Sequence, residues 1–428
     1  MELRSAIKGS GRCIGRQALL PLADALGSKK VGRVQVSSFG WLDSDEKHRE
    51  MMLELVRLFQ DEGSVDELGI GGVRDAFANR FFPATSVLHT RARYLLFIPW
   101  LLEDVTRHGW PAEKVKREFR DQEVKLIRSL VKGGEKQGVI GRQAGKDLKT
   151  MPSSAYWAAL RQMRICLWDT TIEGYLRQAT SGIRGSASDR STDDAADGHA
   201  RNAGIHTSLP ERPSDLLKDT TFDLTADEAA FLKDRLIVAH QKTVYSWLAL
   251  KGTSADVLYI WEHPQLSDFP SEMQAEIKQA RQFHFAFHGA AITYNLLLAR
   301  LIDNEKLVDE YTDALDSWDA DPGVIGALNS WHPGEFWQTA RSLNPRIPPA
   351  TEHFVNNWVE LAKSNEHRGD NAARLLAERE RRLKGNRSRL GNPDALQRWS
   401  GRAGMARLDY RWSVAASHLR DIYEAVEV

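Results

Sequence analysis

Residues 271–303, SEMQAEIKQARQFHFAFHGAAITYNLLLARLID, keep helical apolar spacing from end to end, and this run does most to limit what the chain can become. LTADEAAFLKDRLIVAH before it and NEKLVDEYTDALDSW after it repeat the pattern, with Thr225 and Ser271 as expected helix caps. Strand signals are few. The expected fold class is therefore mainly α and multi-helical.

A stretch of opposite character divides the chain. Residues 179–215, ATSGIRGSASDRSTDDAADGHARNAGIHTSLPERPSD, offer almost nothing large to bury and read as a linker or long loop. The expected organisation is a loosely ordered extension over 1–33, an N-terminal helical domain over 34–178, a flexible linker over 179–220 and a C-terminal helical domain over 221–428. The first domain opens on VQVSSFGWLDSDEKHREMMLELVRLF. There a short extended piece leads into a helix capped by Asp43 or Ser44 and carrying Met51, Leu55, Leu58 and Phe59.

FPATSVLHTRARYLLFIPW sets two arginines into an apolar run. A helix starting at Thr85 or Ser86 places Leu88, Arg91, Leu95, Ile98 and Leu102 in one narrow sector, with Arg93 opposite and solvated. A buried arginine must be paired, so Arg91 is expected to act as a structural lock on Asp66, Glu67 or Asp75. Pro99 is expected to kink or end this helix.

Charge narrows the functional classes. Net charge is zero, but residues 107–149 hold 12 Lys/Arg against 6 Asp/Glu and 374–411 hold 11 against 4, whereas 256–321 hold 13 acidic against 4 basic residues. Two basic segments able to meet a polyanion thus face one acidic segment that could neutralise them. No apolar run approaches the roughly 18 residues of a membrane span. Two cysteines, Cys13 and Cys166, exclude both a disulfide scaffold and a thiolate zinc cage, and the expected location is the cytoplasm.

The stretch 113–165, which overlaps the first basic segment, has the outline of a helix-turn-helix. One helix ends at Gly133-Gly134, a second carries Ile140, Ala144 and Leu148, and a third is capped by Ser153. On the third, Ser154, Trp157, Arg161 and Arg164 form an expected DNA-facing surface. In the second segment, Arg387, Arg389, Arg402, Arg407 and Arg411 alternate with Trp399, Tyr410 and Trp412, a mixture suited to phosphates and stacked bases. The alternative is that the aromatics close the helical core and the arginines bridge to the acidic segment.

Catalytic signals fall short of their motifs. GVIGRQAGKD lacks the glycine spacing and hydroxyl of a P-loop, HQK at 240–242 lacks the phospholipase-type aspartate, and the acidic-x-Lys triplets at 123–125 and 276–278 lie in helical patterns. His284 and His288 are spaced for one helix face but have no acidic companion nearby, and a core role is expected for them. No metal, cofactor or catalytic residue is expected.

SSFGWLDSDEKHR, DELGIGGVRDAFANRFFPATSVLHTRARYLLFIPW, GVIGRQAGKDLKTMPSSAYW and RWSGRAGMARLDYRW, in this order from Val36 onward, resemble the successive blocks of a bacterial family known only as a domain of unknown function. The resemblance implies a bacterial, cytoplasmic protein encoded near helicases and other phage-defence genes, and it implies no catalytic residues. The expected function is a non-enzymatic accessory subunit that binds DNA, or a helicase or other DNA-processing defence protein. The alternatives are a metal-dependent nuclease using DEYTDALDSWDAD and a purely structural interaction subunit.

Overall fold

The computed structural model describes residues 66–145, 148–187 and 204–427. The expected extension, the helix with Met51, Leu55, Leu58 and Phe59, and Cys13 lie outside the described residues. Fifteen α-helices, three short 3-10 turns and one isolated bridge, Cys166 to Ile205, make up the regular structure among those residues, so the chain is mainly α as expected. None of the described helices is long and apolar enough to cross a membrane.

Helix α1 (Gly71–Phe81) begins where the Asp66 carboxylate accepts the backbone N–H groups of Ile70 and Gly71, both at 2.7 Å. Helix α2 (Tyr94–Thr106) starts later than the spacing predicts, because residues 82–93 form turns with Ala84 at φ 59°. Pro99 lies inside α2 and does not end it. Every side chain from Tyr94 to Leu102 is buried, and packing on all sides outweighs the missing backbone donor.

Helices α3 (Ala112–Lys132), α4 (Pro152–Gln162) and α5 (Ile172–Ala187) surround α2. Helix α3 stops at Gly133, as its glycine pair predicts. The expected middle helix is not formed: residues 139–145 are turns, with Gly138, Gly141 and Gly145 all at positive φ, a conformation that breaks a right-handed helix. The cap of α4 is Met151, not Ser153. Ser153 lies inside the first turn and gives its backbone N–H to Glu123 at 2.8 Å. Burial pushes that glutamate up to about 7.

In the second half, α6 (Ala226–Ala239) carries the expected Thr225 cap, closed reciprocally by Glu228. It is followed by α7 (Val244–Lys251) and α8 (Ser271–Leu301). Helix α8 is continuous over the long apolar-periodic run, although Pro270 takes the capping position expected for Ser271. Then come α9 (Glu305–Ala320), α10 (Pro322–Asn329), α11 (Pro333–Leu343), α12 (Pro349–Lys363), α13 (Asp370–Lys384), the single-turn α14 (Pro393–Leu396) and α15 (Trp412–Glu427).

Helix α8 is the central post, with α9, α10, α12 and α13 packed around it. Gly289 sets how closely α9 approaches, since a Cβ there would lie 2.6 Å from the Trp318 ring, which is itself fixed by Nε1 donating to the Phe285 carbonyl at 2.8 Å. Gly289→Ala is therefore expected to destabilise the fold by about 1–2 kcal/mol, overpacking exceeding the helix-propensity gain. A denaturant titration showing equal or higher stability would contradict this packing account.

The described residues do not show the expected separation into two helical domains. Buried side chains from Leu68 to Ile422 form one cluster, α1 packs on α7 and α11, and α15 packs on α6 and α7. Of the expected linker, 179–187 continue α5, 188–203 lie outside the described residues, and 204–220 are packed through Ile205, Leu209 and Leu216. Ion pairs also join the early segment to the later helices. Arg80 meets Glu276, Arg93 meets Glu228, Arg91 meets Asp421 (each at 2.8 Å), and Glu67 holds Arg389 and Lys384.

Candidate functional site

The candidate site is a cleft of about 260 Å³ between α8, α9, α10 and the segment 401–409. Helix α8 supplies His284 and His288 one turn apart, α9 supplies Ser317 and Trp318, and Asp321 lies between α9 and α10. The fourth side is Arg407. It is brought in because the chain before α15 folds back on α8: His284 Nδ1 donates to the Leu408 carbonyl at 3.0 Å and the Tyr410 hydroxyl donates to the Ala280 carbonyl at 2.7 Å.

Both imidazoles are neutral at ordinary pH. Burial, then the positive Arg407, lowers His284 to about 4 although its bond to Leu408 opposes the shift; burial, Arg407, His284 and Arg402 lower His288 to about 3. His288 has no hydrogen-bond partner among the described residues, and the Arg407 guanidinium is exposed with no carboxylate on it. The remaining polar groups are engaged: Asp321 Oδ1 accepts the Gly323 N–H at 2.7 Å as the cap of α10, and Ser317 Oγ donates to the Asp313 carbonyl at 2.8 Å. Phe285, Ile292, Trp318 and Val324 supply apolar wall. Among the described residues no three His, Cys, Asp or Glu side chains converge as metal ligands would. The carboxylates proposed for a nuclease do not gather either. Asp316 and Asp319 bind Arg368, and Asp319 also faces His367.

The expected DNA-facing surface on α4 is mostly consumed by the fold. Trp157 is buried with Nε1 donating to the Thr170 carbonyl at 2.8 Å, Arg161 pairs with Asp169, Ser154 is half-buried, and only Arg164 stands exposed, past the helix end at φ 56°. The stacking role expected for Trp399, Tyr410 and Trp412 fails for the same reason, since all three are buried.

The arginines of the second segment separate into two sets. Arg389 pairs with Glu67 at 2.8 Å, and Arg411 bonds Asn79, the Thr85 carbonyl and Asp75. Arg387, Arg402 and Arg407 are exposed and unpaired among the described residues, as are Arg381, Arg382 and Arg398, which the sequence reading did not single out.

Arg91 is paired, but not with the carboxylates expected for it. Asp66 caps α1, Glu67 holds Lys384 and Arg389, and Asp75 holds Arg74 and Arg411, so each is taken. Arg91 instead meets Asp421 of α15, which also accepts the Ala92 N–H at 2.8 Å. Arg93, expected in solvent, is buried against Glu228.

No curated protein and no solved structure matches the chain. One protein family does, over residues 36–426, which takes in the cleft, both basic segments and every ion pair described above. The chain belongs to this family, described as a family of unknown function (DUF6361).

Proposed function

We propose that the chain is a non-enzymatic accessory subunit that binds nucleic acid through the C-terminal basic segment. The observation that carries this reading is the set of six exposed arginines, Arg381, Arg382, Arg387, Arg398, Arg402 and Arg407, that no carboxylate neutralises among the described residues. The net charge of the chain is zero and about half of its other described arginines meet a carboxylate, whereas this one segment gathers six that do not, which makes a positive surface suited to phosphates. With the nearby aromatics buried, such contact is to the backbone and tolerant of base sequence. Such a subunit would act beside a helicase or other protein of bacterial antiviral defence, the context that the sequence resemblance implies.

A salt titration of binding to short duplex and single-stranded DNA tests the reading. Six phosphate contacts would give a slope of log affinity on log salt of about −4 to −5. Arg387→Ala/Arg398→Ala/Arg402→Ala is expected to reduce that slope by about 2–3, and Arg161→Ala/Arg164→Ala to leave it unchanged. No binding at low salt, or dependence on the α4 pair alone, would overturn the proposal.

A further inference from the structure

The cleft beside these arginines has a feature that a flat phosphate-binding surface does not need. Arg407 lines the cleft together with His284 and His288, and Arg402 lies on the same closing segment and adds positive charge at His288. The facing groups from every packed element are His284 and His288 of α8, Asp321 ahead of α10, and Arg402 and Arg407 of the closing segment, with Arg281 acting on His284 from the same helix. Asp321 is the single carboxylate among them, and one of its oxygens is spent on capping α10.

We propose that the cleft is a receptor for a terminal phosphate monoester, held by the Arg407 guanidinium and the unpaired imidazole of His288. This rests on the reading that the neighbouring arginines face phosphates. A monoester presents three acceptor oxygens and about −1.5 to −2 charge near neutrality, which suits a guanidinium fork joined by a ring N–H donor. A neutral imidazole can donate from one nitrogen without carrying a charge into a half-buried site. At about 260 Å³ the cleft falls just below the roughly 300–1,000 Å³ of small-molecule sites and so admits one phosphate with part of its sugar, not a duplex. The apolar wall from Phe285, Ile292 and Val324 then lies against the sugar or base, and the second oxygen of Asp321 can accept a hydroxyl.

Two sources share this chemistry, a phosphorylated strand end and a free mononucleotide. Fluorescence anisotropy with a short single strand in 5′-phosphate, 3′-phosphate and hydroxyl-ended forms, competed with AMP, separates them. One phosphorylated end is expected to bind at least about 10-fold tighter than the hydroxyl-ended strand. His288→Ala should abolish that difference while leaving the residual affinity of the hydroxyl-ended strand, and Arg407→Ala should abolish it while also weakening all three strands by the one phosphate contact that this arginine supplies to the basic surface. Both side chains are accessible and outside the ion-pair network, and a matching thermal melt confirms that the variants fold. Equal affinity for all three strands, with no effect of AMP, would overturn the cleft proposal and leave the nucleic-acid reading standing. AMP binding that needs Arg407 and His288, with no strand bound, would retain the cleft as a mononucleotide site and overturn the nucleic-acid reading. Absence of binding by strands and AMP alike would remove both.

Discussion

Glu380→Ala is expected to destabilise the protein by about 3–5 kcal/mol, one of the two largest single-residue effects in the fold. The carboxylate is completely buried and receives five donors: the Tyr294 hydroxyl, the Lys384 ammonium at 2.9 Å, Ser388 Oγ at 2.9 Å, and the backbone N–H groups of Arg389 at 3.0 Å and Leu390 at 2.9 Å. Alanine leaves four of the five without an acceptor and the Lys384 ammonium with Glu67 as its one remaining carboxylate. Burial by itself would push this carboxyl up, but the Tyr294 hydroxyl, the two backbone donors and Lys384 outweigh it and hold it below the usual range. The sign follows. A carboxyl whose native value is depressed contributes stability that is full above its ordinary value and is lost as pH falls through the native one. Glu380→Gln, which keeps an acceptor oxygen, should lose less at pH 7 and should lose this acid-side contribution. Denaturant titrations at pH 7 and pH 4 check both statements, and a Glu380→Ala variant within about 0.5 kcal/mol of the parent would refute them. Because the same carboxylate fixes the turn at 388–390, the alanine variant should also weaken the proposed nucleic-acid binding through the adjoining Arg387.

How much of this was legible in the sequence depended on whether the cause was local. The α8 run, the Thr225 capping box and the stop at Gly133 were legible because periodicity, a cap side chain and a glycine pair act within a few residues. The expected second helix of the basic segment fails on local grounds. Its apolar positions repeat at helical spacing, but Gly138, Gly141 and Gly145 interrupt the same stretch, and all three adopt positive φ. Pro99 failed in the other direction. Tertiary burial of α2 from Tyr94 to Leu102 around it overrode the local penalty, and no window of sequence carries that information.

The candidate site was legible only in fragments. The spacing of His284 and His288 is visible, and Arg407 stands out as one of the arginines of the second basic segment, but nothing local says that these three meet. They do so because 408–410 return to α8 across more than a hundred residues, anchored by Leu408 and Tyr410. The same applies to the ion pairs. Arg91 finds Asp421, far along the chain, because nearer carboxylates serve a helix cap and other cations. Aromatic and arginine residues mixed in one segment looked like a nucleic-acid surface, yet here the aromatics are core and the exposed cations are a separate subset.

Arg93→Ala is expected to cost about 3–5 kcal/mol, and more than Arg91→Ala at low pH. Arg93 is buried, and its guanidinium binds Glu228 at 2.8 Å and the Thr221 carbonyl at 2.9 Å. Glu228 is nearly inaccessible, at 3% side-chain exposure, and also closes the capping box of α6. Truncating the arginine therefore strands a carboxylate that the helix start needs in place. Arg91 differs because its partner has a way out. Burial pushes the Asp421 carboxyl up to about 6 even with Arg91 beside it, so without the arginine it can take a proton and shed its charge. A carboxyl raised in the native state contributes stability that is full below its ordinary value of 3.8 and is lost as pH rises through about 6. Removing Arg91 raises the native value further. The deficit of Arg91→Ala should then be about 3 kcal/mol at pH 8 and shrink by roughly half at pH 5, where Asp421 is largely neutral in parent and variant alike. Arg91→Ala/Asp421→Asn should recover part of the loss at pH 8, because the amide oxygen still accepts the Ala92 N–H. Equal Arg91→Ala deficits at pH 5 and pH 8 would show that Asp421 does not relax by protonation, and a mild Arg93→Ala would show that Glu228 finds another donor.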